Sequence, residues 1–348
     1  MTKELLWGFG FILLSATCNG LLALPSKFIK AFAWENTWGA FYLFTMLVIP
    51  TVFATLFLSG VFPVWSEAGV ANLLILVGFG ILWGCGMIFF GMGINMVGMA
   101  LGYAVMMGLG ILFGSIVPFL THNLDGAFTS SGLTIIAGIL TCTVGVAVCG
   151  RAGVLRERSQ SGSADVSRPM SANIITGLIV CAAGGIMGAT INIGFSYGGT
   201  ITALSMNQFG NSPGIAALTV WIVIFWGGFI PSGAYAAYLL FKNGTWNNFV
   251  SPNAGHDLAM SFLMALFHFM ILFFYGMAAY YLGKLGTSVG WASHMSVSLV
   301  LANLLGFMTG EWKNSSRKSR RWLYSGLALL VGGILTLAIG NQMQSFRP

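Results

Sequence analysis

The sequence is poor in charge. Only 7% of its 348 residues are Asp, Glu, Lys or Arg, against about 25% in soluble domains. So few charges cannot cover the surface of a water-soluble chain of this length, which excludes an ordinary soluble fold. Carboxylates are missing from the middle of every long apolar stretch. Glu4, Glu35, Glu67, Asp125, Glu157, Asp165, Asp257 and Glu311 all fall in polar connections or at the ends of apolar runs. Paired cysteines are missing as well. Cys18, Cys85, Cys142, Cys149 and Cys181 lie singly inside apolar runs with no CxxC spacing, so they read as small packing residues and imply neither disulfide nor metal site. No His-Glu-x-x-His pair, no Gly-x-Ser-x-Gly elbow and no acidic pair at close helical spacing is expected, which leaves an enzyme without a motif. No cofactor is implied.

What is present is apolar. Hydrophobic residues make up 57% of the chain, with 48 glycines and 28 phenylalanines, the composition of helices packed closely in lipid. Ten apolar segments are legible: 5–24, 38–58, 71–94, 99–120, 133–150, 174–197, 214–241, 258–282, 287–309 and 322–340. Most reach the ~20 residues that cross a hydrocarbon core. Each must be helical, because backbone polar groups in lipid have to be satisfied within the segment. The first run is long for a signal core and is expected to remain as a helix. Leu14 to Cys18 is a poor fit to a lipoprotein cleavage site, with Thr17 directly before the cysteine.

The formal charge of +7 does not imply nucleic-acid binding, because the basic residues form no stripe with interleaved aromatics. They alternate between connections. Lys27, Lys30, Arg151, Arg156, Arg158, Arg168, Lys242, Lys313, Arg317, Lys318, Arg320 and Arg321 fall on one side of the predicted topology. Lys3, Lys284 and Arg347 fall on the other. The positive-inside rule assigns the rich side to the cytoplasm, so both termini face outward.

The longest connection, 151–173, is rich in Arg, Ser and Gly and divides the chain into five segments on each side. An odd number per half makes the second half enter from the opposite face. The expected fold is therefore an all-α integral membrane protein of ten transmembrane helices in two inverted five-helix repeats, 1–150 and 174–348, joined by a cytoplasmic linker. Weak echoes agree. Gly91-Met92 with Gly98 in the third segment matches Gly276-Met277 with Gly283 in the eighth, and Ile49-Pro50 in the second matches Ile230-Pro231 in the seventh.

Small residues four apart (Gly80/Gly84, Gly98/Gly102, Gly110/Gly114, Gly184/Gly188, Gly194/Gly198, Gly306/Gly310) read as helix-packing positions. With no interior carboxylate, histidines are the interior groups that exchange protons near neutral pH. His268 lies among phenylalanines and reads as a packed imidazole with one hydrogen bond. His294, in Trp291-Ala292-Ser293-His294-Met295-Ser296, has a hydroxylated setting and is the candidate proton-coupling group, with helix-end Glu35 as the alternative. His122 and His256, at loop edges, receive no role. Asn19, Asn95, Asn192, Ser196, Ser298 and Asn303 also interrupt apolar runs. Each must face another helix or a wet cavity, since an unpaired amide in hydrocarbon costs several kcal/mol. Asn192 with Tyr197 nearby, and the deeply placed Trp83, Trp226 and Trp291, form with His294 a candidate binding set. Indole faces suit the C–H face of a sugar, and amides and imidazole suit its hydroxyls. Another neutral polar solute would fit the same side chains.

Several motifs carry a family resemblance. Leu24-Pro25-Ser26-Lys27 leads through Trp34-Glu35-Asn36-Thr37-Trp38. Leu82-Trp83-Gly84 and Val97-Gly98-Met99-Ala100-Leu101-Gly102 follow, then Arg151-Ala152-Gly153 and Leu155-Arg156-Glu157-Arg158. His294-Met295-Ser296 and Gly310-Glu311-Trp312-Lys313 complete the order. Over nearly the whole chain this resembles the bacterial L-rhamnose–proton symporter family of the drug/metabolite transporter superfamily. The resemblance implies ten helices in a five-plus-five inverted arrangement in the inner membrane, with uptake of a deoxy sugar coupled to protons. The alternative is a facilitator or exporter of another small metabolite on the same fold.

The topology makes a direct prediction. A single cysteine at position 162 should resist a membrane-impermeant thiol reagent in intact cells and react once the membrane is permeabilised. Ready labelling in intact cells would reverse the assignment.

Overall fold

The computed structural model describes residues 3–160, 172–313 and 315–345. Asp165, Arg168, Arg347 and residues 161–171 of the 151–173 linker lie outside these residues. Among the described residues there are helices and turns and no strands, as expected where no backbone group can rely on water. Ten helical units among the described residues are long and apolar enough to cross a membrane.

In chain order the helices are α1 (Lys3–Leu21), α2 (Trp34–Tyr42), α3 (Ile49–Phe57), α4 (Val61–Ala68), α5 (Val70–Val97), α6 (Met99–Asn123) and α7 (Ser130–Gln160). Beyond the linker come α8 (Ala172–Tyr197), α9 (Gly199–Phe209), α10 (Pro213–Asn243), α11 (Ala254–Tyr281), α12 (Gly286–Met308) and α13 (Arg317–Ser345). The expected segments are all present and mostly longer than hydropathy alone drew them, because polar end residues continue the backbone ladder. α2 and α3 form one crossing interrupted by a π turn at Leu43–Val48, directly before Pro50. Proline has no N–H to complete the α-helical ladder, and the widened turn absorbs the defect. The turn also presents Thr45 to the interior. α5 and α6 are separated by Gly98 alone, at φ +90°, a conformation that glycine adopts without strain.

α10 is the most buried crossing. It lies against α2, α3, α5 and α11, while α8 packs on α5 and α6. On the other side of the molecule α1 packs on α11 and α12, and α7 pairs with α13. Backbone approaches of this kind require glycine. A Cβ on Gly80 would strike the Ile224 carbonyl, one on Gly84 the Gly228 carbonyl, and one on Gly227 the Val77 carbonyl. Gly188 and Gly310 differ from the other small residues singled out above, with nothing within 4 Å of their Cβ positions. The Gly80 seam predicts a contrast. Gly80→Leu should remove most of the monodisperse protein in detergent gel filtration, since overpacking a tight seam costs about 1–3 kcal/mol or more. Gly78→Ala, whose Cβ would meet nothing within 4 Å, should leave the yield unchanged.

Candidate functional site

Asn192 of α8 is fully buried. Its Nδ2 donates to the Gly114 carbonyl at 2.7 Å and to the Thr287 carbonyl at 2.9 Å. Its Oδ1 accepts the Tyr275 hydroxyl at 2.6 Å. One amide thus ties α8 to α6, α11 and α12. Both N–H groups are spent on protein carbonyls, so in this conformation Asn192 braces helices.

Trp291 of α12 is buried beside this amide, and its Nε1 donates to the Gly110 carbonyl at 3.1 Å. Gly114 makes room for the indole, since a Cβ there would collide with the Trp291 ring. Tyr275 stands edge-on to Trp291, with centroids 5.4 Å apart, and both rings border His294. His294 Nδ1 lies 3.1 Å from the Ser15 hydroxyl, which donates to the Ile271 carbonyl at 2.7 Å. Nearby on α6 and α12, the buried hydroxyls of Ser115, Ser288 and Ser293 have no hydrogen-bond partner.

A second histidine centre lies across the same core. His268 Nδ1 is 2.8 Å from Thr45 Oγ1 on the π turn. Its ring stacks on Trp83 at 6.0 Å and meets Phe41 and Phe225. Phe225, Trp221 and Tyr275 follow at ring separations of 6.1 and 6.3 Å, which joins the two centres by a continuous row of rings. The structure therefore brings Asn192, Trp291 and His294 together around Tyr275 and connects Trp83 to them through aromatics.

The remaining candidates stand apart. Tyr197 is 41% exposed and donates its hydroxyl to Asn72. Trp226 is 38% exposed and lies edge-on to Trp65 at 5.5 Å. Glu35 is at the first turn of α2, on the basic-rich face, where its Oε1 accepts from Asn243 Nδ2 at 3.0 Å and Thr245 Oγ1 at 2.8 Å.

Sequence reading passed over His122. Its Nε2 lies 2.7 Å from Ser196 Oγ, which lies 3.0 Å from Thr287 Oγ1. A sequence signal did exist: Gly194-Phe195-Ser196-Tyr197-Gly198 has the Gly-x-Ser-x-Gly spacing of hydrolases. Here that spacing occupies the final turns of a helix, with no strand before it among the described residues, so it forms no strand-to-helix elbow. The three side chains line a cavity of about 420 Å³ at the face opposite the basic-rich connections. A larger cleft of about 590 Å³ between α6 and α7 is almost wholly apolar apart from Arg151 and offers little to a hydroxylated ligand. No group of three or more His, Cys, Asp or Glu able to hold a metal occurs among the described residues.

Ten crossing helices around a polar, aromatic-lined interior with a cavity at one face define a multi-pass membrane transport protein. Residues 1–343 match the family described as L-rhamnose-proton symport protein, and the chain belongs to that family. It is a family of transporters, not of enzymes. Two relatives, each named L-rhamnose-proton symporter, come from Escherichia coli O1:K1 / APEC and Escherichia coli strain 55989 / EAEC. Each is 24% identical over 98% of this chain and 99% of its own. A solved crystal structure at 14% identity covers 98% of both chains with a TM-score of 0.55, which shows the shared fold.

The buried knot predicts that Tyr275→Phe lowers the thermal stability of the detergent-solubilised protein. The substitution leaves the Asn192 oxygen unpaired, at a cost of about 1–3 kcal/mol. Tyr197→Phe, at an exposed hydroxyl, should leave stability unchanged.

Proposed function

We propose that this protein imports L-rhamnose or a related deoxy sugar together with protons across the bacterial inner membrane by alternating access. The observation that carries the proposal is the end-to-end match to a symporter family, through residues 1–343. The polar and aromatic interior around Asn192, Trp291 and His294 is consistent with it. Orphaned hydroxyls such as Ser293 leave hydrogen-bonding capacity in a region where buried polar groups normally find partners.

In this reading the halves 1–150 and 174–348 are inverted repeats joined by the cytoplasmic linker 151–173. The helix pairings support the repeat. α5 lies on α8 as α11 lies on α1, α6 on α8 as α12 on α1, and α6 on α7 as α12 on α13. Exchanging the halves maps each pairing onto its counterpart. Gly98 and Gly283, matched by the sequence echo, both have positive φ. Both termini are assigned to the periplasm. The sugar crosses between the halves near Trp83, Asn192 and Trp291, with Trp226 and Tyr197 at the margins. Each proton that moves inward contributes roughly 2.3 kcal/mol per 100 mV of membrane potential.

His294 is assigned the coupling role, with Glu35 as the alternative. His294→Gln should abolish uphill accumulation of L-rhamnose in proteoliposomes while preserving measurable counterflow, a split that a purely structural role would not produce. Normal accumulation with normal pH dependence would remove His294 from the mechanism. Trp83→Ala and Trp291→Ala should each weaken sugar binding by on the order of 1 kcal/mol, measured by calorimetry. Unchanged binding in both would remove them from the sugar path.

A further inference from the structure

The cavity at the basic-poor face is built from the ends of several crossings. His122 comes from the last turn of α6, Ser196 from the end of α8 and Thr287 from the start of α12. The cavity's wall therefore includes the string of contacts His122–Ser196–Thr287, at 2.7 and 3.0 Å. The string spans the proposed boundary between the halves, since His122 belongs to the first and the other two residues to the second. It also stands directly over the buried knot. The carbonyl of Thr287 is the group that accepts from Asn192 and from Tyr275.

We propose that this cavity is the outer binding site for the sugar, where a neutral deoxyhexose docks on His122, Ser196 and Thr287 before it passes between the halves. The inference rests on the transport reading given above. The cavity's volume of about 420 Å³ falls within the range of about 300–1,000 Å³ typical of small-molecule sites. No carboxylate lines it, and Lys284 does, so the lining is unfavourable to a cationic amino sugar. Phe195 gives an apolar face for ring C–H groups and the methyl of a deoxy sugar, held rigid by stacking on Trp221 at 4.1 Å. Each hydroxyl in the string carries one donor and two acceptor sites. Ser196, engaged by two neighbours, retains a site for a sugar hydroxyl.

The arrangement links occupancy to movement. A sugar hydroxyl that replaces the His122–Ser196 or Ser196–Thr287 contact exchanges a helix-to-helix bond for a ligand bond. This loosens α8 from α6 or from α12 at the outer face, at little net cost in hydrogen bonds. Differential contact of this kind is what a ligand requires in order to shift a conformational equilibrium.

The test uses Thr202→Cys, on the cavity wall, in a full-length protein whose native cysteines are replaced and which still transports L-rhamnose in cells. An impermeant maleimide added outside should label this cysteine, and saturating L-rhamnose should slow the labelling. An amino sugar of the same ring size should not. In parallel, His122→Ala and Ser196→Ala should raise the half-saturating external concentration of L-rhamnose several-fold. Transport with labelling that L-rhamnose leaves unchanged would overturn this site and leave the transport reading standing. If the unmodified protein transports no deoxy sugar in the same cells, both fall together.

Discussion

An amide in the middle of a lipid-embedded bundle has no water to fall back on, so the fold has to bring its partners to it. Asn192 is where that requirement is met most completely. Its two donors and its acceptor go to three different helices, and the positions of neighbouring residues follow. Gly114 of α6 presents its carbonyl to the amide and, lacking a side chain, admits the Trp291 indole of α12. Trp291 in turn reaches Gly110 one turn earlier. A glycine pair four residues apart, which usually lets two backbones touch, here serves an aromatic ring and an amide together.

Carboxylates obey the same rule at the basic-rich face, with a different result. Asp257 is fully buried in the first turn of α11. Its oxygens accept backbone N–H groups of Lys30, Ala31 and Phe32 at 2.7–3.0 Å, and His256 Nδ1 lies 3.0 Å away. Glu35 holds Asn243 and Thr245, and Asn36 holds Thr245 and Asn248. Connections from opposite halves of the chain are stitched together at this face by charge-assisted bonds, which are stronger than neutral ones. At the opposite face the corresponding contacts, Ser59 with Asn211 and Glu67 with Gln208, include only one charged group, and the 420 Å³ cavity lies on that side. The two faces are thus unequally secured, with the tighter closure on the basic-rich side.

Hydropathy made the ten crossings legible because segment length in lipid is set by the thickness of the hydrocarbon. It could not show the π turn at Leu43–Val48: a proline such as Pro50 marks a place where a helix can kink, but Pro231 sits within the continuous α10, so only the fold shows which proline is met by a widened turn. The interior was legible in part. Asn192, Trp291 and His294 stood out as polar or amphipathic residues in apolar runs. Tyr275 did not, because a tyrosine among phenylalanines resembles packing until its hydroxyl is seen to find Asn192. His122 was set aside as a loop-edge residue, since its neighbours Ser196 and Thr287 are 74 and 165 positions away and only the fold brings them close. For Trp226, depth along the helix is readable from sequence, but the face it occupies on a uniformly apolar helix is not.

The two interior histidines differ in a way that bears on proton movement. A carbonyl can only accept, so the Ser15 hydroxyl spends its one proton on Ile271 and offers His294 a lone pair. The proton of a neutral His294 is thereby assigned to Nδ1, which leaves Nε2 as its acceptor nitrogen. At His268 the partner is Thr45 Oγ1, whose hydroxyl can turn either way, so both tautomers are compatible with the contact. His294 is therefore held in one form by α1 and α11 acting together through Ser15. A rearrangement that separates α1 from α12 would release that form, whereas His268 can exchange tautomers without any helix moving. Of the two, His294 is the histidine whose protonation chemistry is tied to the relative position of helices from both halves.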